Sequence, residues 1–402
     1  MSDFFGYRRA DGSVGIRNYL AVVSAMDNAN PVARRIAAGV AGSVAITAAY
    51  GRGQLAEDLE QHDRTLGGYG AHPNVAATLV VSLEPKSAQA LADRIAARGK
   101  PVEWLAIQKS GGTVNATAKG ISILAKLAQR FTTAPREPAS LADLVIGLEC
   151  GGSDALSGMT GNSTLGRVSD RIVAAGGTVI LSETEEIIGA EHLLAARAAH
   201  PDVAAALIDS VRRAEAYADY LGLNMAPLGG DNISGGLTTT EEKSLGAIRK
   251  AGTTPLVDVI GYGERPTKKG FVFMDAPAPG TENITALGAS GAQMLLFNTG
   301  VGNPIGNAVS PTIKVTGSPG TADYFADNID VDVSGIVRGE FDLDTAADRL
   351  LKTLCAVANG TPTTSERLGD TELTISRVDI GFLRRVWRDG ALAQTQRVKV
   401  HQ

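Results

Sequence analysis

Five side chains that can carry acid–base or metal chemistry follow apolar runs in the middle of the chain. Parallel strands of an open α/β sheet bind ligands beyond their carboxyl ends, so residues that directly follow such strands can share one polar cleft. Carboxylates, a thiol and an imidazole occupy such positions in this sequence. They are Glu149 and Cys150 after the run at 144–148, Glu183 after the run at 178–182, and Glu191 with His192 shortly afterwards.

The acidic stretch at 183–192 is a candidate metal and acid–base site. Glu183, Glu191 and His192 are the predicted metal ligands, and Glu186 offers a further oxygen. Hard oxygen ligands with one imidazole suit Mg, Mn or Fe(II) better than a structural zinc. A β-elimination needs a base for the proton α to a carboxylate, stabilisation of the enediolate and an acid for the leaving group. Glu183 and His192 are predicted to serve that chemistry, and an acidic, solvated loop is the competing interpretation.

Cys150 and Lys243 complete the predicted catalytic set. Cys150 lies between a carboxylate and a Gly-Gly turn, which favours contact with a ligand, although a small buried cysteine is the alternative. Because Cys355 is the only other cysteine, a multi-cysteine zinc or iron–sulfur site within the chain is excluded. Lys243 is the reserve base. That role requires burial of the amine, and a solvent-facing helix lysine is the alternative.

A wider set of polar residues is predicted to contact a small anionic substrate. An arginine can pair with a substrate carboxylate. The stretch GGLTTT at 235–240 can bind one at a helix N-terminus through backbone N–H groups and hydroxyls. A surface ion pair for Arg17 and a turn-capping role for His72 are the alternatives. The predicted contacts are Arg17, Asn18, His72, Asp154, Thr239 and Asn298.

Composition narrows the classes of protein to consider. The 402 residues are 44% hydrophobic and 20% charged, which is typical of a globular protein with two or three domains. A net charge of −5 without a basic run argues against a nucleic-acid partner. The N-terminus lacks the apolar region of a signal peptide, and no run of about 18 apolar residues could span a membrane. With only two cysteines, the chain is predicted to be cytoplasmic. No dinucleotide fingerprint, Walker motif or nucleophile elbow supports a nicotinamide, ATP or serine-hydrolase site.

Short apolar runs alternate with helical patterns along most of the chain. This alternation predicts an α/β fold of two α/β domains with mainly parallel sheets, an N-terminal one at 1–135 and a C-terminal catalytic one at 140–402. The stretch 132–140, with two prolines, is the predicted linker. Predicted strands are 19–25, 44–47, 76–83, 102–107, 144–148, 178–182, 271–274, 294–297 and 312–315. Predicted helices are 30–39, 87–98, 114–130, 165–175, 200–221, 239–251 and 344–358.

Five segments in this order resemble the altronate/galactarate dehydratase family. They are GYRRADGSVGIRNY at 6–19, GLECGGSDALSGMTGNSTLG at 147–166, GGTVILSETEEIIGAEHLL at 176–194, GGLTTTEEKSLGAIRKAGTTP at 235–255 and KGFVFMDAP at 269–277. The resemblance runs over nearly the whole chain. It implies a hydro-lyase acting on sugar acids with a divalent metal, Fe(II) first and Mg or Mn as alternatives. It also implies an oligomer and, as a further partner, a small SAF-domain subunit, because full-length relatives commonly carry such a domain.

The first half departs from the family pattern at two places. A His- and Cys-bearing segment of the sugar-acid dehydratases corresponds to 47–54 here, and a Gly-Cys-Glu ending corresponds to 82–85. Arg52 in place of a thiol favours an anionic group such as a sulfonate, so Arg52 is a predicted substrate contact. The Leu-Glu-Pro ending is closer to the (2R)-sulfolactate sulfo-lyases, which release sulfite.

The sequence therefore leaves three alternative functions open. The first is loss of water from a hydroxylated carboxylic acid. The second is C–S cleavage of (2R)-sulfolactate by the same α-proton abstraction, as the large subunit of such an enzyme. The third is a non-catalytic metabolite-binding subunit, and the carboxylates retained at 183–192 argue against it.

Overall fold

Two parallel sheets organise the chain, whose computed structural model describes residues 3–54, 56–222 and 228–377. The strands are β1 Phe4–Arg8, β2 Val14–Gly15, β3 Tyr19–Ser24, β4 Ser43–Ile46, β5 Val75–Ser82, β6 Val102–Ala106, β7 Glu137–Ala139, β8 Val145–Cys150, β9 Thr178–Leu181, β10 Leu256–Ile260, β11 Gly270–Met274, β12 Met294–Asn298, β13 Thr312–Thr316 and β14 Val331–Asp332.

Helices cover both sheets, and short 3-10 turns fill several of the connections. The α-helices are α1 Asn30–Ala38, α2 Ala56–Gly70, α3 Pro85–Ala96, α4 Thr113–Phe131, α5 Gly161–Ala174, α6 Glu191–Ala195, α7 Pro201–Leu221, α8 Gly230–Ser234, α9 Thr240–Ala247, α10 Gly280–Ala289, α11 Pro319–Tyr324, α12 Leu343–Ala358 and α13 Thr364–Leu368. Across the described ranges, none of the helices combines the length and the apolar character that a bilayer crossing requires.

Sheet topology fixes where a ligand can bind. The smaller sheet has the strand order β4-β3-β5-β6, and the larger one has the order β10-β11-β9-β8-β12-β13-β14. In the larger sheet the chain leaves β8 toward β9 on one side, and it leaves β12 toward β13 on the other. The switch point therefore lies between the carboxyl ends of β8 and β12, where open α/β sheets bind their ligands.

Local sequence explains why these elements form. Strand β5 is buried at every position, as expected for a parallel strand with both sheet faces covered. Helix α3 begins with Pro85, whose fixed φ suits a first helical turn. The Glu84 carboxylate caps this helix by accepting hydrogen bonds from two backbone N–H groups of that turn. Helix α12 buries Leu350 and Leu354 four residues apart, so one of its faces packs on the core.

The two sheets share a core across their junction. Helix α2 approaches α10 at Gly68, where an added Cβ would lie 2.1 Å from the backbone oxygen of Ala289, so only glycine permits this packing. Buried apolar side chains such as Leu66, Ile284 and Phe297 belong to one cluster there. Because each large sheet lies within one predicted range, we propose 1–135 and 140–402 as the two domains.

The predicted α/β class with mainly parallel sheets is confirmed. The stretch at 132–140, predicted as a linker, contains β7, which pairs antiparallel with β1 in a small sheet of order β2-β1-β7. Pro138 is accommodated because β7 is an edge strand of that sheet. Helices α2 and α10 were not predicted, since glycines interrupt the helical pattern in both.

His72 ties the two sheets together from a fully buried position. Its Nε2 lies 3.0 Å from the backbone oxygen of Ala292, and its Nδ1 accepts the backbone N–H of Asn74 at 3.0 Å. This is the turn-capping alternative to a substrate contact. Burial, together with the nearby cations Lys100, Arg265 and Arg9, lowers the pKa of His72 to about 3, so the ring is neutral in the folded protein.

A pH titration of stability tests this neutral histidine. An unfolded histidine takes up a proton near pH 6.5 while folded His72 does not until about pH 3, so stability is lost as the pH falls through that window. Replacement by glutamine, His72→Gln, should remove about 1.4 kcal/mol per pH unit from the slope between pH 6 and 5. Urea unfolding at several pH values measures it. The surface variant His200→Gln should keep the wild-type slope, and a His72→Gln profile parallel to wild type would contradict the assignment.

Candidate active site

The carboxyl ends of β8 and β12 bring Cys150 and Asn298 side by side at the switch point. The two residues are register partners on neighbouring parallel strands, so their side chains extend from the same face of the sheet. Asn298 Nδ2 donates to Asn162 Oδ1 at 2.9 Å at the start of α5. Gly161 begins that helix because an added Cβ would lie 1.8 Å from Asn298 Oδ1.

A group of buried ionisable side chains surrounds Cys150, and we term it the buried cluster: Cys150, Glu183, Glu186, Lys243 and Lys250. The Lys250 ammonium lies at its centre, where it donates to Cys150 Sγ at 2.8 Å and to Glu183 Oε2 and lies 3.9 Å from Glu186 Oε2. The Cys150 thiol donates to Glu186 Oε2 at 3.0 Å. Lys243 Nζ pairs with Glu186 Oε1 at 2.9 Å.

Four segments position the buried cluster, and the first is β8, which ends at Cys150. Glu183 follows β9 with a φ of 70°, a left-handed conformation that costs a non-glycine residue about 1–2 kcal/mol. Its side chain Oε2 also accepts the backbone N–H of Cys150 at 3.3 Å. Glu186 lies in the 3-10 turn that follows, and Lys243 and Lys250 come from α9 and its 3-10 extension. Backbone strain of this kind concentrates at functional sites, which supports a functional role for Glu183.

The surroundings push the pKa values of the carboxyl groups apart. Burial, reinforced by the negative charges of Glu149 and Glu186, raises the pKa of Glu183 well above its usual range, although Lys250 opposes this. Burial also disfavours ionisation of Glu186, but Lys250 and Lys243 outweigh it and hold the pKa of Glu186 below its usual value. Carboxyls tuned in opposite directions within one site are suited to act as a proton-holding acid and an ionised base.

Glu149 and Lys314 lie on the opposite face of the sheet, one row before Cys150. Glu149 pairs in register with Phe297, which pairs with Lys314, so the three side chains form one row across β8, β12 and β13. Asn283 Nδ2 donates to Glu149 Oε2, and burial raises the pKa of Glu149 to about 7. The Lys314 ammonium lies 3.3 Å from the centre of the Phe297 ring, and burial lowers its pKa to about 7.

A cavity of about 270 Å³ opens next to the buried cluster. Lys243 belongs to its wall, so the Lys243–Glu186 ion pair connects the cavity to the buried cluster. Asp154 also lines it and accepts a hydrogen bond from Ser157 Oγ at 2.7 Å. Pairing with Glu186 raises the pKa of Lys243 despite its burial, so the ammonium form favours binding of an anionic group over the predicted role of a base.

The donors of the buried cluster fit a divalent metal. The ligand atoms of Cys150, Glu183 and Glu186 all lie within 4.8 Å of one another. Two carboxylates and a thiolate can hold a divalent transition metal, and within the described ranges the buried Glu183 Oε1 has no hydrogen-bond partner. Lys250 approaches the same three side chains, so its ammonium and a metal ion would compete for their negative charge.

The other two predicted metal ligands lie elsewhere. Within the described residues, the compact group of ligand atoms around Cys150 includes neither Glu191 nor His192. Both residues begin the short helix α6, where His192 is exposed and Glu191 is half-buried. Closeness to Glu183 along the sequence therefore does not place their ligand atoms in this compact group.

Four predicted substrate contacts have other partners or face solvent. Arg17 is engaged by the Glu366 carboxylate at 2.8 Å and by the backbone oxygens of Val357 and Thr361, which anchors the end of α12 and α13. Asn18 Oδ1 accepts from Arg9 at 2.9 Å. Arg52 is exposed in a turn after β4. Exposed Thr239 caps α9 by accepting the backbone N–H of Glu242 at 3.1 Å.

Lys250 is the main functional candidate that the sequence reasoning missed. It lies seven residues after Lys243, so the two lysines lie on one face of a helix two turns apart. Two lysines on one helical face, preceded by a run of glutamates in the neighbouring segment, are a signal that could have been used. Glu149 and Lys314 carry no such signal, because their burial depends on which strands become neighbours in the sheet.

Comparison with known proteins shows that the chain is similar to sugar-acid dehydratases and to a sulfolactate sulfo-lyase subunit. Residues 141–380 match the model of the D-galactarate/altronate dehydratase C-terminal domain, and residues 6–132 match the D-galactarate dehydratase/altronate hydrolase second domain. The chain is 40% identical to the (2R)-sulfolactate sulfo-lyase subunit beta of Chromohalobacter salexigens, over 93% of this chain and 97% of that protein. Altronate dehydratase of Escherichia coli is 35% identical over 92% of this chain and 76% of its own length. Galactarate dehydratase (L-threo-forming) of the same organism is 31% identical over 89% and 73%.

Removal of the central ammonium tests the electrostatics of the buried cluster. The Lys250→Met variant removes the main counter-charge of ionised Glu186 and the hydrogen-bond donor to Glu183, and it should lower the free energy of unfolding by about 3–5 kcal/mol. The double variant Lys250→Met/Glu186→Gln should recover part of this loss, because the carboxylate left without this ammonium is gone. Urea unfolding measures both. The surface variant Lys352→Met should match wild type, and a double variant no more stable than Lys250→Met would contradict the ion pair.

Proposed function

The chain belongs to the D-galactarate/altronate dehydratase family of lyases, and we propose that it eliminates water from a small hydroxylated carboxylic acid. The proton α to the carboxylate is removed, the C3–O bond breaks, and the departing hydroxyl takes up a proton to leave as water. The enol that forms then ketonises to a 2-keto-3-deoxy acid.

The observation that supports this proposal most directly is that the pKa values of Glu183 and Glu186 are shifted in opposite directions. Elimination needs a base and an acid that hold different protonation states at the same pH. Within the buried cluster, Lys243 and Lys250 favour ionised Glu186, while burial and like charge favour protonated Glu183. This arrangement supports Glu186 as the base and Glu183 as the acid for the leaving group.

The lysines supply positive charge where negative charge develops. Lys243 belongs to the cavity wall and retains its ammonium, so we assign it to the substrate carboxylate. Lys250 lies behind it among Cys150, Glu183 and Glu186, a position suited to stabilise an enediolate in a medium of low dielectric constant. We propose that Asp154 and Asn298 contact substrate hydroxyl groups near the carboxyl ends of β8 and β12.

A divalent metal is part of the proposal, with Fe(II) first and Mg or Mn as alternatives. Cys150, Glu183 and Glu186 are the residues that would hold it. When bound, such an ion supplies Lewis-acid stabilisation of the carboxylate and its enediolate. This ligand set replaces the one predicted with Glu191 and His192.

Cleavage of a C–S bond is the second candidate. The 40% identity to a (2R)-sulfolactate sulfo-lyase subunit, matched over nearly the full length of both chains, favours it. The same α-proton abstraction would release sulfite instead of water. A separate small SAF-domain subunit and an oligomeric enzyme belong to this proposal too, because that relative is itself a subunit beta. We also propose the cytoplasmic location that the sequence predicts. The intact buried cluster argues against a non-catalytic metabolite-binding subunit.

A substrate screen decides between the two reactions. The chain would be assayed anaerobically with Fe(II), alone and with a small SAF-domain subunit, on altronate, galactarate, other aldonates and (2R)-sulfolactate. Both 2-keto acid and sulfite would be measured. We expect keto acid without sulfite from at least one aldonate or aldarate. The Glu183→Gln variant should lose turnover. The matched control is Glu103→Gln on the surface, which should retain it.

Two other results would overturn the first proposal. Sulfite release from (2R)-sulfolactate, without keto acid from any sugar acid, would assign the chain to C–S cleavage. No turnover of any acid, with the metal and the small subunit both present, would favour the non-catalytic interpretation.

A further inference from the structure

A basic cleft lies at the junction of the two sheets, apart from the cavity beside Lys243. Two adjoining cavities of about 770 and 200 Å³ share Ala10, Asp11, Arg98 and Gly99 in their walls. Their linings contribute six cationic residues and only two acidic ones in a protein whose net charge is −5. The cationic residues are Arg8, Arg9, Arg64, Arg98, Lys100 and Arg265.

Most of these cations already have structural partners, and one does not. Arg265 pairs with Asp11 at 2.9 Å, Arg64 Nε donates to the backbone oxygen of Tyr262, and Lys100 Nζ donates to the backbone oxygen of His72. Within the described residues, the Arg98 guanidinium has neither a hydrogen-bond acceptor nor a carboxylate at ion-pair distance. It is half-buried, and its five N–H donors are therefore available to a ligand.

The cations of the cleft also repel one another. Burial lowers the pKa of Arg98, and the neighbouring charges of Arg265 and Arg94 lower it further. Burial likewise lowers the pKa of Lys100 to about 7, with Arg9 and Arg265 contributing. Uncompensated positive charge in a concave surface attracts an anion, because the anion relieves this repulsion at the same time as it accepts hydrogen bonds.

We propose that this basic cleft is a second binding site, specific for a small multivalent oxyanion of the phosphate class, with Arg98 as its main ligand. Arg64 and Arg98 belong to the first domain, and Arg265 belongs to the second. A bound oxyanion would therefore join the two halves of the molecule. None of the lining residues belongs to the buried cluster or to the cavity beside it, so the site is independent of the proposed reaction.

Phosphate-dependent stability tests the site without any assay of turnover. In a phosphate-free buffer, inorganic phosphate should raise the thermal unfolding midpoint of the full chain along a saturable curve. Sodium chloride at equal ionic strength should not. The Arg98→Gln variant should weaken the fitted affinity tenfold or more, and Arg98→Lys should be intermediate because it keeps the charge but loses the planar fork.

The variants are expected to fold, because the Arg98 side chain has no protein partner in the described structure to lose. Arg212→Gln, which removes an exposed arginine of α7, is the matched control and should bind phosphate like wild type. The proposal is overturned if chloride reproduces the phosphate effect, which would indicate general screening. It is also overturned if Arg98→Gln binds phosphate as tightly as wild type.

Discussion

One buried ammonium group holds the site together. Lys250 is fully buried, and its Nζ contacts Cys150 and Glu183 while lying within ion-pair distance of Glu186. Charges removed from water must be paired and hydrogen-bonded, so these groups can be buried only when they contact one another. This requirement fixes the ends of β8 and β9 relative to α9, and Glu183 meets it from a left-handed backbone conformation. The same dense arrangement of charge is what an elimination with an enediolate intermediate requires.

The sheet topology determines where this cluster forms. The carboxyl ends of β8 and β12 meet at the switch point, and residues that follow β8 line the cavity beside Lys243. The junction with the smaller sheet holds a different kind of polar group, because His72 is kept neutral and fully hydrogen-bonded while it connects the two halves. Arg17, which precedes β3, is also structural, because its ion pair with Glu366 holds α13 in place.

Sequence patterns were sufficient for the fold class, and they pointed to two residues of the buried cluster. Alternating apolar runs and helical patterns predicted parallel sheets, and Cys150 and Glu183 were proposed because each comes shortly after an apolar run, which the structure folds as β8 and β9. The partners could not be found in this way, since Lys250 approaches Cys150 across 100 residues of sequence. His192 shows the converse, because its proximity to Glu183 along the chain does not bring it into the buried cluster. Strand neighbours and turn directions decide such contacts, and neither is encoded in local spacing.

We assign to Glu186 the cleavage of the C–H bond α to the substrate carboxylate. The most direct measurement is release of tritium to water from a substrate labelled at that carbon, using an acid that the enzyme turns over. The Glu186→Gln variant should slow this release by about 10²–10⁴-fold, the range for loss of a general base, while Glu103→Gln should leave it unchanged. Release at the wild-type rate from a folded Glu186→Gln enzyme would contradict the assignment of the buried cluster as the reacting centre.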